Sequence, residues 1–138
     1  MVRDGDSAAC LALDTHVVEC FLAAGDMRHV CQQRANVAYD QMMLGAYTRA
    51  EASLREAIAI AERMGLHQVS TQAEHNLGCV LMRQGRFDLA REVETRALAA
   101  LRAQGNQRLV AAARHYLATI ELGAGNYAAA IEHSLAAI

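Results

Sequence analysis

The chain has 138 residues, enough for one domain, and its 13 Lys+Arg against 15 Asp+Glu leave a net charge of −2. That balance lacks the basic excess of a free-standing nucleic-acid binder, and no block of like charge marks a tail or a membrane patch. Apolar residues make up 54%, aromatics only 4%, and proline and tryptophan are absent, so the composition favours long helices in close contact over strands or a ring-filled core.

The first element is Ser7–Ala24, a helix stopped by Gly25, with Asp26 as the candidate cap of the next. No apolar run is read as approaching the ~18–20 residues that span a bilayer, and no signal peptide is read at the N-terminus. The four cysteines (Cys10, Cys20, Cys31, Cys79) show no paired spacing and are read as reduced thiols of a cytoplasmic protein.

From 26 onward the chain reads as two helices per unit: 26–64, 66–104, and a truncated 106–138. In the first unit, Thr48 and Glu51 have capping-box spacing for the helix ending near Met64. In the second, Leu77, Val80 and Leu81 give an apolar stripe, and Gly85 stops the helix. Asp88 is the candidate cap of the helix carrying Leu89, Ala90, Val93, Ala97, Leu98 and Leu101. Gly105 ends that helix and Asn106 is placed to cap the following one. The third unit stops at Ile138, the counterpart of Ile58 and Leu98. An apolar Ser134–Ile138 in place of a polar capping helix suggests a fragment or an end buried by self-association.

A fixed step of 40 residues links these units. Gly45, Gly85 and Gly125 recur with Tyr47, Phe87 and Tyr127, then with Ala50, Ala90 and Ala130. Ala57, Ala97 and Ala137 follow, and Ala38, Gly78 and Ala118 keep the step upstream. Gly25, Gly65 and Gly105 hold a second place one period apart, and Gly5 is the counterpart of Gly45. Packing explains these residues: small side chains let helix axes approach to about 8 Å, and the aromatics are expected to plug the space beside each turn.

The pattern Asn-Leu-Gly at 76–78, Gly-x-Phe at 85–87, Ala90 and Ala-Leu at 97–98 resembles the tetratricopeptide repeat, over about Arg28 to Ile138. The resemblance implies an all-α, right-handed α-solenoid of antiparallel helix pairs, about seven helices in all, with 7–24 as a leading half-repeat. The chain departs from the family pattern. Arg34, Glu74 and Arg114 stand at the first-helix tryptophan, Gln41, Leu81 and Glu121 at the tyrosine, and the closing proline is missing. The step of 40 also exceeds the common 34. Longer units of this kind resemble the kinesin-light-chain type and the arrays of bacterial signalling proteins, including segments that follow Ser/Thr kinase domains.

The resemblance puts the first helix of each unit on a concave face. The candidate groove residues are Arg28, Gln32, Asn36, Tyr39, Gln72, His75, Asn76, Arg83, Arg108 and His115. Asparagine carries both donors and acceptors, so Asn36 and Asn76 suit the backbone of an extended peptide. The arginines suit a carboxylate by forked contacts. His75 and Cys79 lie four apart, but no further ligand completes a metal site, and no catalytic constellation or phosphate loop is found. The expected function is a non-catalytic scaffold that binds a peptide or helix, without cofactor, membrane or nucleic acid. The alternatives are a regulatory segment of a larger signalling protein and a self-associating assembly module.

Overall fold

The computed structural model describes residues 4–137. They form seven α-helices, with no strand among the described residues: α1 (Asp4–Ala24), α2 (Met27–Met43), α3 (Tyr47–Arg63), α4 (His67–Arg83), α5 (Phe87–Ala103), α6 (Gln107–Gly123) and α7 (Tyr127–Ala136). The all-α expectation therefore holds. The chain divides into two compact units, Met1–Asn76 and Leu77–Ile138, with the division inside α4. In the first, α1 packs on α2 and α2 on α3; in the second, α5 packs on α6 and α6 on α7. Ile138, paired in sequence with Ile58 and Leu98, lies outside the described residues.

One turn, used six times, organises the backbone. At Gly85 the chain takes φ 75°, a left-handed conformation that a Cβ disfavours. The Gly85 amide donates to the Met82 carbonyl at 3.0 Å and the Arg86 amide to the Leu81 carbonyl at 3.0 Å. This nested pair satisfies two orphan carbonyls of α4 and reverses the chain at once. The same pair of bonds recurs at Gly25, Gly45, Gly65, Gly105 and Gly125. Each of α2 to α6 has 17 residues, and three residues join each to the next, so the backbone repeats every 20 residues, half the sequence step. Gly5 falls within α1 instead of in a turn.

The uniform turn corrects two caps. Because each helix starts two residues after its glycine, α3 and α5 begin at Tyr47 and Phe87, and their cap positions hold Ala46 and Arg86 with no side-chain cap bond. Thr48 and Asp88 are already inside the first turn; Asp88 pairs with Arg91 at 2.9 Å. Asp26 and Asn106 do cap, accepting from the His29 and Leu109 amides at 3.3 and 3.2 Å.

The small residues do the packing the sequence assigns them. Ala50, Ala57, Ala90 and Ala97 are fully buried, and Ala38, Ala118 and Ala130 nearly so. In the first unit Cys31, Ile60 and Ala61 form a core cluster flanked by Met27, Leu66 and Val69. The aromatics divide. The Phe87 ring lies so close over Gly123 that a Cβ there would overlap it, and Tyr47 is half-buried. Tyr127, by contrast, is 65% exposed and plugs nothing. Where the family pattern has tryptophan, polar contacts tie the helix pairs instead: Arg34 to Glu56 at 2.7 Å, and Arg114 to His133 at 3.1 Å.

The first helix overturns another expectation. Ser7–Ala24 is long and apolar enough, by length and composition, to cross a membrane, and only 11% of that stretch is buried. The sequence reading missed it because Asp14, His16 and Glu19 interrupt any strictly apolar run.

One buried pair departs from its repeats. Glu94 of α5 is fully buried, and its carboxylate occupies the space a Cβ on Gly78 would take. One period earlier the same two positions hold Leu54 and Ala38, both buried. The glycine thus makes room for a polar chain that the other unit does not carry. Gly78→Ala alone is expected to destabilise by about 1–3 kcal/mol through overpacking. Adding Glu94→Leu restores the Ala/Leu pairing and most of the loss. Urea unfolding of the two single variants and the double variant measures this coupling; additive losses contradict it.

Candidate binding groove

Five of the ten expected groove residues line one cavity in the first unit. Gln32, Asn36 and Tyr39 of α2 meet Gln72 and Asn76 of α4 around a volume of about 470 Å³, completed by Gln33, Ala35, Val69 and Ala73. The helical period explains the selection. Positions 32, 36 and 39 fall on one stripe of α2, and 69, 72, 73 and 76 on one stripe of α4. Gln32, Asn36, Tyr39 and Gln72 are exposed and Asn76 is half-buried, so the lining is accessible. The Asn36 amide donates to Gln33 Oε1 at 3.1 Å. An amide retains a second donor and two lone pairs beyond that bond, so the lining can both donate to and accept from a ligand.

The remaining five residues stand elsewhere. His75 is buried at 4% exposure, on a different face of α4 from Gln72 and Asn76, and does not line this cavity. Arg28 is exposed on the first turn of α2 and Arg108 on the first turn of α6. Arg83 bonds the Cys79 thiol, as does the Tyr116 hydroxyl. Burial pushes the Cys79 thiol up and the Tyr116 hydroxyl up to about 12, so both are protonated near neutrality and the thiol is no activated nucleophile.

His115 lines a second, apolar cavity of about 460 Å³ in the second unit, with Leu122, Tyr127, Ile131 and Leu135 among its walls. Those four residues are each more than half exposed. One period earlier, the counterparts of Tyr127 and Ile131 receive α6: Phe87 packs on Gly123, and Arg91 donates to Glu121, a carboxylate also held by Asn126 at 2.8 Å. Those bonds, Arg91 first, hold Glu121 below the usual carboxylate range.

The sequence reading missed one buried acid. Asp40 of α2 is 8% exposed, its Oδ2 is without a hydrogen-bond partner, and it faces Asp14 of α1. Burial, a hydrogen bond with Asp14 and the like charge raise Asp40 to about 6. Its neighbours in sequence give no sign of this, because the partner lies on another helix. Among the described residues no three His, Cys, Asp or Glu side chains are grouped to hold a metal within one chain.

A scan against protein-family models finds no match for the chain, and a search of curated proteins finds none either.

The Asp40 shift has a defined sign. Its folded value lies above the unfolded 3.8, so the folded state holds the proton more tightly, and the contribution is greatest below about pH 4. It is lost as pH rises through about 6. Asp40→Asn is therefore expected to raise the melting temperature at pH 7.5 and to leave it nearly unchanged at pH 4. Equal shifts at both pH values contradict the buried carboxyl pair.

Proposed function

We propose that the protein is a non-catalytic interaction module, of the tetratricopeptide type, that binds an extended peptide along the amide-lined groove of its first unit. The observation that carries this reading is the convergence of Gln32, Asn36, Gln72 and Asn76, with Tyr39, on one open cavity. An extended backbone presents alternating N–H and C=O groups, and carboxamides are the side chains that answer both. The lining carries no formal charge, so the backbone, not a charged terminus, is the recognised feature. Arg83 and Arg108 are not part of this lining. Cytoplasmic location and a place in a larger signalling protein fit this reading and rest on the sequence pattern alone.

A second reading has its own support. The apolar groove between α6 and α7 offers Tyr127, Ile131 and Leu135 at helical spacing, on the face equivalent to the one on α5 that receives a helix. That favours docking of an amphipathic helix, from a partner or a second copy, at this surface. Ile131→Ser with Leu135→Ser is expected to abolish any self-association seen by light scattering in the presence of a chelator; association that survives both changes excludes this groove.

The main reading is tested with an arrayed peptide library. Binders are expected to lose at least about tenfold in affinity, 1.4 kcal/mol, when Asn36 and Asn76 are both changed to alanine, with thermal stability unchanged. Binders indifferent to both changes contradict the groove.

A further inference from the structure

The first helix carries a side-chain pair that neither the groove nor the core uses. His16 and Cys20 lie four apart on α1, one helical turn, and both are exposed. His16 Nε2 stands 3.8 Å from Cys20 Sγ. The two bonds of a tetrahedral zinc ion, about 2.05 Å to nitrogen and about 2.3 Å to sulfur, set those ligand atoms about 3.6 Å apart. The pair is thus already at chelating separation. The other ring nitrogen, Nδ1, faces Glu19 Oε2 at 3.6 Å. That distance is beyond a hydrogen bond, but a small rotation of the exposed Glu19 side chain brings its carboxylate onto Nδ1, the place from which a carboxylate orients an imidazole that ligates through Nε2.

A single chain supplies only these two ligands, since no third such side chain is grouped with them among the described residues. The surrounding surface points to the source of the other two. Ala9, Leu13, His16, Cys20 and Ala23 are all exposed and follow a 4-3-4-3 spacing along α1. That spacing matches the a/d seam of a coiled coil over two heptads, and it leaves Leu13 63% exposed. Two such seams laid together about a two-fold axis bring His16 and Cys20 of each copy to one point, giving two nitrogens and two sulfurs.

We propose that His16 and Cys20 form half of a thiophilic transition-metal site, of the zinc class, completed by the same pair from a second copy so that the metal bridges two α1 helices. On binding, the Cys20 thiol loses its proton to solvent and its sulfur bonds the metal; nothing is oxidised or reduced. The inference is independent of the peptide groove, which lies on α2 and α4.

The test uses the full chain, reduced, with cobalt(II) as the optical probe and zinc for mass measurement. The expected result is tetrahedral cobalt absorption with a thiolate-to-metal charge-transfer band, at one metal per two chains. Zinc doubles the mass by light scattering, and a chelator reverses it. Both Cys20→Ser and His16→Ala weaken binding at least tenfold, while Cys10→Ser, at the other exposed cysteine of α1, changes nothing. Circular dichroism confirms that all three variants stay helical, as substitutions at exposed positions should. Cobalt binding without the thiolate band, binding unaltered in Cys20→Ser, or one metal per chain with no change of mass overturns the proposal. Metal-independent partition of the chain onto phosphatidylcholine vesicles also overturns it, since α1 would then be covered by lipid.

Discussion

The glycine turn is the constraint on which the rest depends. A 17-residue helix closed by a left-handed glycine and two nested hydrogen bonds leaves the chain no length for a wandering loop. The next helix starts two residues later, already running back along the first. At Gly65 the φ of 69° and the bonds to Glu62 and Ala61 fix where Leu66 enters the core beside Ile60 and Cys31. Because every turn is the same, the same place in each sequence repeat is buried within its own unit, as at Ala50, Ala90 and Ala130. Close approach then follows from side-chain size, without proline, tryptophan or disulfides.

A frame fixed by turns and alanines frees other positions to differ between units. Gln41 accepts from Ser53 at 2.9 Å in the first unit, while its counterpart Glu121 is clamped by Arg91 and Asn126 in the second. Leu54 is matched by Glu94, and the adjoining alanine becomes Gly78 to hold it. Two carboxyls, one in each unit, respond to acid in opposite senses. Asp40, raised by burial and Asp14, favours the first unit as pH falls through about 6. Glu121, lowered by Arg91, supports the second only while it stays ionised, and that support is lost as pH falls through its depressed value. The carboxamides of Asn36 and Asn76, one exposed and one half-buried, belong to the same class of free positions, and the proposed recognition uses them without disturbing the frame.

The helices were legible because glycine, small residues and the 40-residue step report directly on packing. Asp26 and Asn106 were legible as caps because they directly follow their turn glycines. Thr48 and Asp88 misled because capping preference is local, whereas the turn dictates that the helix has begun before them. Tyr39, Gln72 and Asn76 line one cavity because the helical period sets them on facing stripes of α2 and α4. His75 is buried away from that cavity, since a 40-residue row does not tell which side of one helix a residue faces. The carboxyl pair of Asp14 and Asp40 could not be read, because it exists only when α1 packs on α2. The contact of His16 with Cys20 is legible, since a spacing of four sets both side chains on one face of α1.

Amide hydrogen exchange followed by NMR tests the central claim most directly. If the nested turns form the rigid frame, the amides of Asp26, Ala46, Leu66, Arg86, Asn106 and Asn126, each bonded back to a carbonyl of the preceding helix, exchange as slowly as amides in the middle of their helices. Exchange of these six amides at the rate of an unstructured chain, while the helix interiors stay protected, would contradict the account.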